Sequence, residues 1–408
     1  MDNLFSHNLQ SLVIAMVIVA SIPALLPRLV VPIVVLEIIT GALIGPQALG
    51  LVHPHQITNF LAHFGLGLLF LMTGFEMDPS KLKGEPIRNA VLGWLMSITI
   101  AFIIANSLYR FGLTKNIALT ATAISTTAIS AMLPILRDSG QLSPPYGPYV
   151  LSAGLMGKIG PLLFLAVISS DRDPFKEILL TVFFLAGAII AFFILQKLNG
   201  SHLSKIIGKT MHTSVQFPMR LAMCALILLV SLSEYLKIDT ALGAFVAGLL
   251  LRAIIHSDYD EDISARFDGV ASALLIPIFF LISGTRLDIP SLIANREAMF
   301  MIPVYSVLML VVRGAPALLL YRSSLNVKQR FRLALHSSTQ ISLVVVITDI
   351  GIGKGLISSM QGAQLVGGSI LTILIYPIIA EMIFRNSEIY TADTDTSFKI
   401  RSSFTNNS

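Results

Sequence analysis

Two basic residues lie well inside long apolar stretches: of the 28 lysines and arginines in the chain, Lys158 falls within 147–169 and Arg313 within 297–321. An ionisable group in such surroundings costs several kcal/mol unless it is paired or put to use. Lysine is a titratable point charge on a flexible stem, so it can hold a carboxylate while charged and pass on a proton when it discharges. Arginine stays charged and presents five donors in a rigid fork, suited to carboxylates or exposed carbonyls. The carboxylates placed to answer Lys158 are Glu37, Asp239 and Asp349, each inside or at the end of an apolar stretch. Two hydroxyl-rich runs complete the set: Ser125-Thr126-Thr127-Ala128-Ile129-Ser130 and Ser337-Ser338-Thr339-Gln340-Ile341-Ser342, identical at four of six positions. Such runs either satisfy carbonyls within apolar helices or mark an unwound segment that faces a polar ligand.

Other candidates carry less. His63 and His336 also lie within apolar stretches, as packed, hydrogen-bonded histidines or as proton relays. Asp258, Asp260, Glu261 and Asp262 read as a solvated acidic loop. The single cysteine, Cys224, excludes an intrachain disulfide and a cysteine-based metal site, and reads as a small packing residue. No phosphate-binding loop, metal-ligand cluster or nucleophile triad is present, so neither a cofactor nor a resident metal is expected.

The elements that must position these residues follow from composition. The 408 residues are 54% hydrophobic and only 12% charged, about half the charged share of a soluble domain. Windows such as 177–195 run without an internal charge for the length needed to cross about 30 Å of hydrocarbon. Thirteen spans are expected, at 9–26, 29–46, 57–75, 89–109, 116–136, 147–169, 177–195, 216–235, 239–256, 269–287, 297–321, 331–351 and 361–384. With that count, eighteen basic residues fall on the side of the C-terminus and eight on the other. The bias predicts an outside N-terminus and a cytoplasmic C-terminus in the cell (inner) membrane. Basic residues spread between spans do not form a nucleic-acid patch. The opening segment, MDNLFSHNLQ, lacks a basic leader, and the first span reads as retained.

The hydroxyl runs lie in the fifth and twelfth spans, which cross in opposite directions, as inverted repeats require. The expected organisation is a first repeat over 1–169, a linker span and cytoplasmic connection over 170–215, a second repeat over 216–385 and a short tail over 386–408.

Four motifs then support a resemblance. Leu36-Glu37-Ile38-Ile39-Thr40-Gly41-Ala42-Leu43-Ile44-Gly45-Pro46, Gly74-Phe75-Glu76-Met77-Asp78-Pro79, Leu242-Gly243-Ala244-Phe245-Val246-Ala247-Gly248-Leu249, and Pro277-Ile278-Phe279-Phe280 with Gly284 occur in that order. Together they resemble the second class of monovalent cation:proton antiporters, which includes bacterial sodium/proton antiporters and glutathione-regulated potassium efflux carriers. The resemblance implies an all-α polytopic membrane protein of thirteen helices. It also implies two crossed broken helices at the ion site, a homodimer and an elevator-like movement of a core domain.

At the decisive site the sequence departs from the pattern. Where relatives carry Asp-Asp or Asn-Asp in the sixth span, this chain has Gly157-Lys158. Arg313 stands where relatives often place a lysine that pairs with the first of those acids. Three readings follow. In the first, a transporter exchanges protons for sodium or potassium, with Lys158 as proton carrier and a cation site rebuilt from Thr126, Thr127, backbone carbonyls and Asp349, Thr339 and Glu37 also belonging to the transport core. In the second, Lys158 and Arg313 hold an organic anion or other solute. In the third, the fold serves as a sensor or assembly subunit without transport.

Overall fold

The computed structural model describes residues 2–25, 31–76, 84–128, 136, 146–168, 174–198, 216–255, 266–267, 269 and 271–404. The acidic run at Asp258, Asp260, Glu261 and Asp262, most of the 196–217 connection, and Ile129 and Ser130 lie outside them.

In chain order the helices are α1 (Asp2–Leu25), α2 (Ile33–Ile44), α3 (Gln56–Phe75), α4 (Glu85–Arg110), α5 (Ile117–Ile124), α6 (Tyr146–Ile168), α7 (Pro174–Leu198), α8 (Phe217–Leu236) and α9 (Thr240–Ile254). They continue with α10 (Ile276–Thr285), α11 (Ile289–Ala294), α12 (Arg296–Leu320), α13 (Val327–Ser338), α14 (Ser342–Gly353) and α15 (Ser359–Phe404). Among the described residues, eight helical segments are long and apolar enough to cross a membrane, and four shorter apolar helices stand at 10–22, 33–44, 240–254 and 271–285. The expected span at 116–136 is represented by α5 alone among the described residues, and α15 continues past the expected end of the last span. Local sequence sets several starts. Asn326 and Gln329 form a reciprocal capping box at α13, and the side chains of Asp239 and Asn295 accept from the first amides of α9 and α12.

The helices pack as two groups. In one, α3 lies against α9 and α10, α10 against α2, and α8 against α9. In the other, α12 contacts α4, α13 and α15, while α4 packs on α5 and α6. Helix α7 touches both groups, through α9 and α6. Glycines seat the first group. A Cβ at Gly41 would run into the Leu281 carbonyl and one at Gly284 into the Ile38 carbonyl, so α2 and α10 meet backbone to backbone. Gly74 and Gly248 stand in the same relation between α3 and α9, against the carbonyls of Phe245 and Leu71. Small residues permit this approach where no water drives helices together. Each of the four sequence motifs thus contributes one of these contact glycines.

Cys224 departs from expectation: it is exposed on the outer face of α8 rather than packed. That helix buries little of itself, so a small residue there need not face a neighbour.

Candidate functional site

The centre of the second group is a crossing of two interrupted helices. Helix α5 stops at Ile124, and Thr126, Thr127 and Ala128 continue without helical structure. Thr339 and Gln340 likewise separate α13 from α14. The two breaks lie against each other, with the Ala128 amide donating to the Thr339 carbonyl at 2.7 Å, and the first also meets α6, where the Thr127 amide donates to the Gly157 carbonyl at 3.0 Å. The hydroxyl runs are therefore juxtaposed, and Thr126, Thr127 and Thr339 are all buried within them.

Gln340 ties the breaks further. Its side chain accepts from the Thr126 hydroxyl at 3.0 Å and donates to the Ile124 carbonyl at 3.0 Å, and its amide donates to the Thr372 hydroxyl at 3.0 Å. Every polar atom left by the interruption needs such a partner, because hydrocarbon supplies none.

Arg313 on α12 serves the same need. Its Nε donates to the Thr127 hydroxyl at 3.0 Å and, more distantly, to the Ser337 carbonyl at 3.4 Å, Nη1 to the Ser97 hydroxyl at 3.1 Å and Nη2 to the Ala153 carbonyl at 3.0 Å. The Thr127 hydroxyl in turn donates to the Ser337 carbonyl at 2.5 Å. The C-terminal ends of α5 and α13 both point here, each carrying partial negative charge, and a fixed cation balances them. Gly157 makes the room: a Cβ there would strike the Thr127 side chain and lie 2.9 Å from Arg313 Nη2. The acid of the relatives' pattern is thus replaced by the one residue that lets the guanidinium settle on carbonyls.

Lys158, the next residue on α6, turns the other way. It lines a cavity of about 40 Å³ together with Leu69, Phe70 and Thr73 of α3, Thr127 and Ala128 of the crossing, and Ser342 at the start of α14. That is space for a few water molecules or a partly hydrated small ion. Among the described residues, Lys158 is the only titratable one lining it. Its Nζ donates to Glu76 Oε2 at 3.1 Å, with the lysine side chain 12% exposed and the glutamate 50%. The partner expected among Glu37, Asp239 and Asp349 is therefore corrected to Glu76. Glu37 is buried in α2, Asp239 caps α9 through the Ala241 amide, and Asp349 pairs with Arg286 at 3.2 Å. Glu76 stood inside the second sequence motif, but its pairing joins α3 to α6 across the fold, and no local spacing reveals such a contact.

The structure does not bring Asp349 to Lys158. Asp349 lines a second, smaller cavity of about 10 Å³ with His63, Ser283 and Arg286. His63 Nδ1 lies 2.7 Å from the Asn59 carbonyl within α3, and His336 Nδ1 lies 2.8 Å from the Tyr146 hydroxyl. His336 is fully buried. Among the described residues no cluster of His, Cys, Asp or Glu could hold a metal.

An apolar bundle in which two interrupted helices meet around a buried guanidinium, beside a small cavity that a lysine lines, has the build of a membrane transporter. The sodium/hydrogen exchanger transmembrane family matches residues 13–386, and the chain belongs to it. A candidate Na(+)/H(+) antiporter of Bacillus subtilis, YjbQ, is 27% identical over 400 residues, covering 93% of this chain and 64% of that protein. A candidate Na(+)/H(+) antiporter of Methanocaldococcus jannaschii, number 3, is 24% identical over 378 residues, covering 90% of this chain and 94% of that protein. The chain thus spans just under two thirds of the first relative and nearly all of the second. The structure of the sodium proton antiporter MjNhaP1 of the same archaeon superposes with a TM-score of 0.67 at 18% identity, covering 93% of this chain and 98% of that one, and shows the fold.

Proposed function

We propose that the protein exchanges protons for a monovalent cation, sodium or potassium, and that Lys158 is the atom-level point of competition. The observation that carries this is that Lys158 lines the cavity beside the crossing while its Nζ reaches a half-exposed carboxylate. While protonated, the ammonium pairs with Glu76 and repels any cation. Once the proton leaves, the amine offers its lone pair, Glu76 is released, and the hydroxyl oxygens of Thr73 and Ser342 line the same space. One site then holds a proton or a cation, never both.

This differs in detail from a site built of Thr126, Thr127 and Asp349. Thr126 and Thr127 are engaged by Gln340, Ser337 and Arg313, and Asp349 by Arg286. Each of the three guanidinium nitrogens of Arg313 already donates to a protein oxygen, which weighs against its use as an anion counter-charge. The reading includes inverted repeats over 1–169 and 216–385, a homodimer, and movement of the group around α12 against the group around α3. It also includes an outside N-terminus and a cytoplasmic C-terminus in the cell membrane, on the strength of the basic-residue bias.

The test is flux into proteoliposomes carrying an internal pH dye. Sodium or potassium is expected to evoke proton movement, and Lys158→Ala to reduce it at least about tenfold and flatten its pH profile. Cation-evoked flux with an unchanged pH profile in Lys158→Ala would remove Lys158 from the proton path. Flux evoked only by organic anions would replace the cation reading.

A further inference from the structure

A second charge pair spans the same boundary as Lys158 and Glu76. Arg286 Nη1 lies 3.2 Å from Asp349 Oδ1, and Arg286 Nη2 donates to the Asn59 side chain at 3.2 Å. Glu76 caps the end of α3 and Arg286 caps the end of α10, both in the group seated by glycine contacts. Lys158 on α6 and Asp349 on α14 belong to the other group. In these two pairs each group offers one charge of each sign, and the signs are reversed across the boundary.

The two pairs stand far apart. Asn59, which holds Arg286, and Glu76 occupy opposite ends of the 20-residue α3, about 25 Å apart at 1.5 Å per residue. The sequences around the two caps match in kind: Gly74-Phe75-Glu76-Met77-Asp78 and Gly284-Thr285-Arg286-Leu287-Asp288 carry glycine two residues before the charge and aspartate two after it. Spans three and ten are also the pair that the proposed inverted repeats would relate. The ends differ in access. At Glu76 the cavity is about 40 Å³ and the glutamate is half exposed. At Arg286 it is about 10 Å³, room for one water at most, and Ser283 beside it is 4% exposed.

We propose that Glu76 and Arg286 are the gating residues of transport: two charges fixed at the ends of one helix group, each clasping an opposite charge on the other group, which together latch the groups in the position seen here. A slide of one group along the other separates both pairs, so transport requires their release, and loss of either favours the displaced arrangement. This rests on the moving-group reading above, although the latch does not depend on which solute is carried.

The experiment uses the full chain in membrane vesicles, in a Cys224→Ser background with Ser283→Cys as a reporter in the small cavity. Labelling by a membrane-impermeant maleimide is expected to be slow in the parent and about tenfold faster with Arg286→Gln, the change expected if a latch worth about 1.4 kcal/mol is lost. Asp349→Asn attacks the same clasp from the other side and serves if Arg286→Gln fails to fold. The exchanged pair Arg286→Asp with Asp349→Arg is expected to return labelling to the parent rate, which a merely structural arginine would not allow. Glu76→Gln is expected to speed labelling at Ser283→Cys from the far end of α3. Parent-like labelling in Arg286→Gln and Asp349→Asn, or no rescue by the exchanged pair, overturns the clasp at Arg286. Parent-like labelling in Glu76→Gln removes Glu76 from the latch. Because labelling needs no solute, absent cation flux with a responsive reporter would overturn only the antiport reading, and an unresponsive reporter with normal flux only the latch.

Discussion

Arg313 commits its guanidinium to oxygens of Thr127, Ser337, Ser97 and Ala153, drawn from three other helices and the crossing. A fork of donors at fixed angles is what such a scattered set requires, and an ammonium cannot supply it. Arg313→Lys is expected to lower stability by about 2 kcal/mol and Arg313→Ala by about 4 kcal/mol, since hydrogen bonds to a buried charge are lost and carbonyls are left without partners. Thermal unfolding of the purified protein in detergent would read this, and parent-like melting of Arg313→Ala would mean that the carbonyls find other partners. The contrast with Lys158 is one of environment. Arg313 faces inward onto hydroxyl and carbonyl oxygens, while Lys158, beside Gly157, lines a cavity and pairs with a half-exposed carboxylate. Sequence position marked both as unusual, but their division of labour follows from side-chain direction, which the sequence does not display.

Among elements, the glycine-bearing motifs proved to be packing devices. Gly41, Gly74, Gly248 and Gly284 bring helix backbones into contact, and none of them lines the Lys158 cavity. Gly248→Ala is therefore expected to force α3 and α9 apart and cost about 1–3 kcal/mol through overpacking, read as a lower melting temperature with the pH profile of any residual flux unchanged. A shifted pH profile at normal stability would place Gly248 in the site instead. The broken helices were legible as paired hydroxyl runs because polar backbone in a membrane must be answered by local side chains. Gln340 gave less signal: it is one amide among hydroxyls, yet it bridges both interruptions. Glu76 and Arg286 gave none as partners, because each closes a contact between helices distant in the chain. What the sequence carried was periodicity and composition; what it hid was which helix faces which.

At the scale of the whole molecule, the site chemistry proposed for Lys158 sets the charge that would cross the membrane. Among the described residues, Lys158 is the only titratable one lining the cavity beside the crossing. If it moves with the group around α12, that group bears one added positive charge in either loaded form: as the ammonium when a proton is carried, or as the bound cation beside a neutral amine. Outward and return journeys then move equal charge, and the exchange is one proton for one cation. Sodium-driven proton flux in proteoliposomes is accordingly expected to be insensitive to an imposed potential. An unbalanced charge would feel about 2.3 kcal/mol per 100 mV, a roughly fifty-fold bias. A strong dependence of the sodium-driven rate on potential would require a second titratable group on the moving helices, and Asp349, freed from Arg286 when the latch opens, is the residue positioned to supply it.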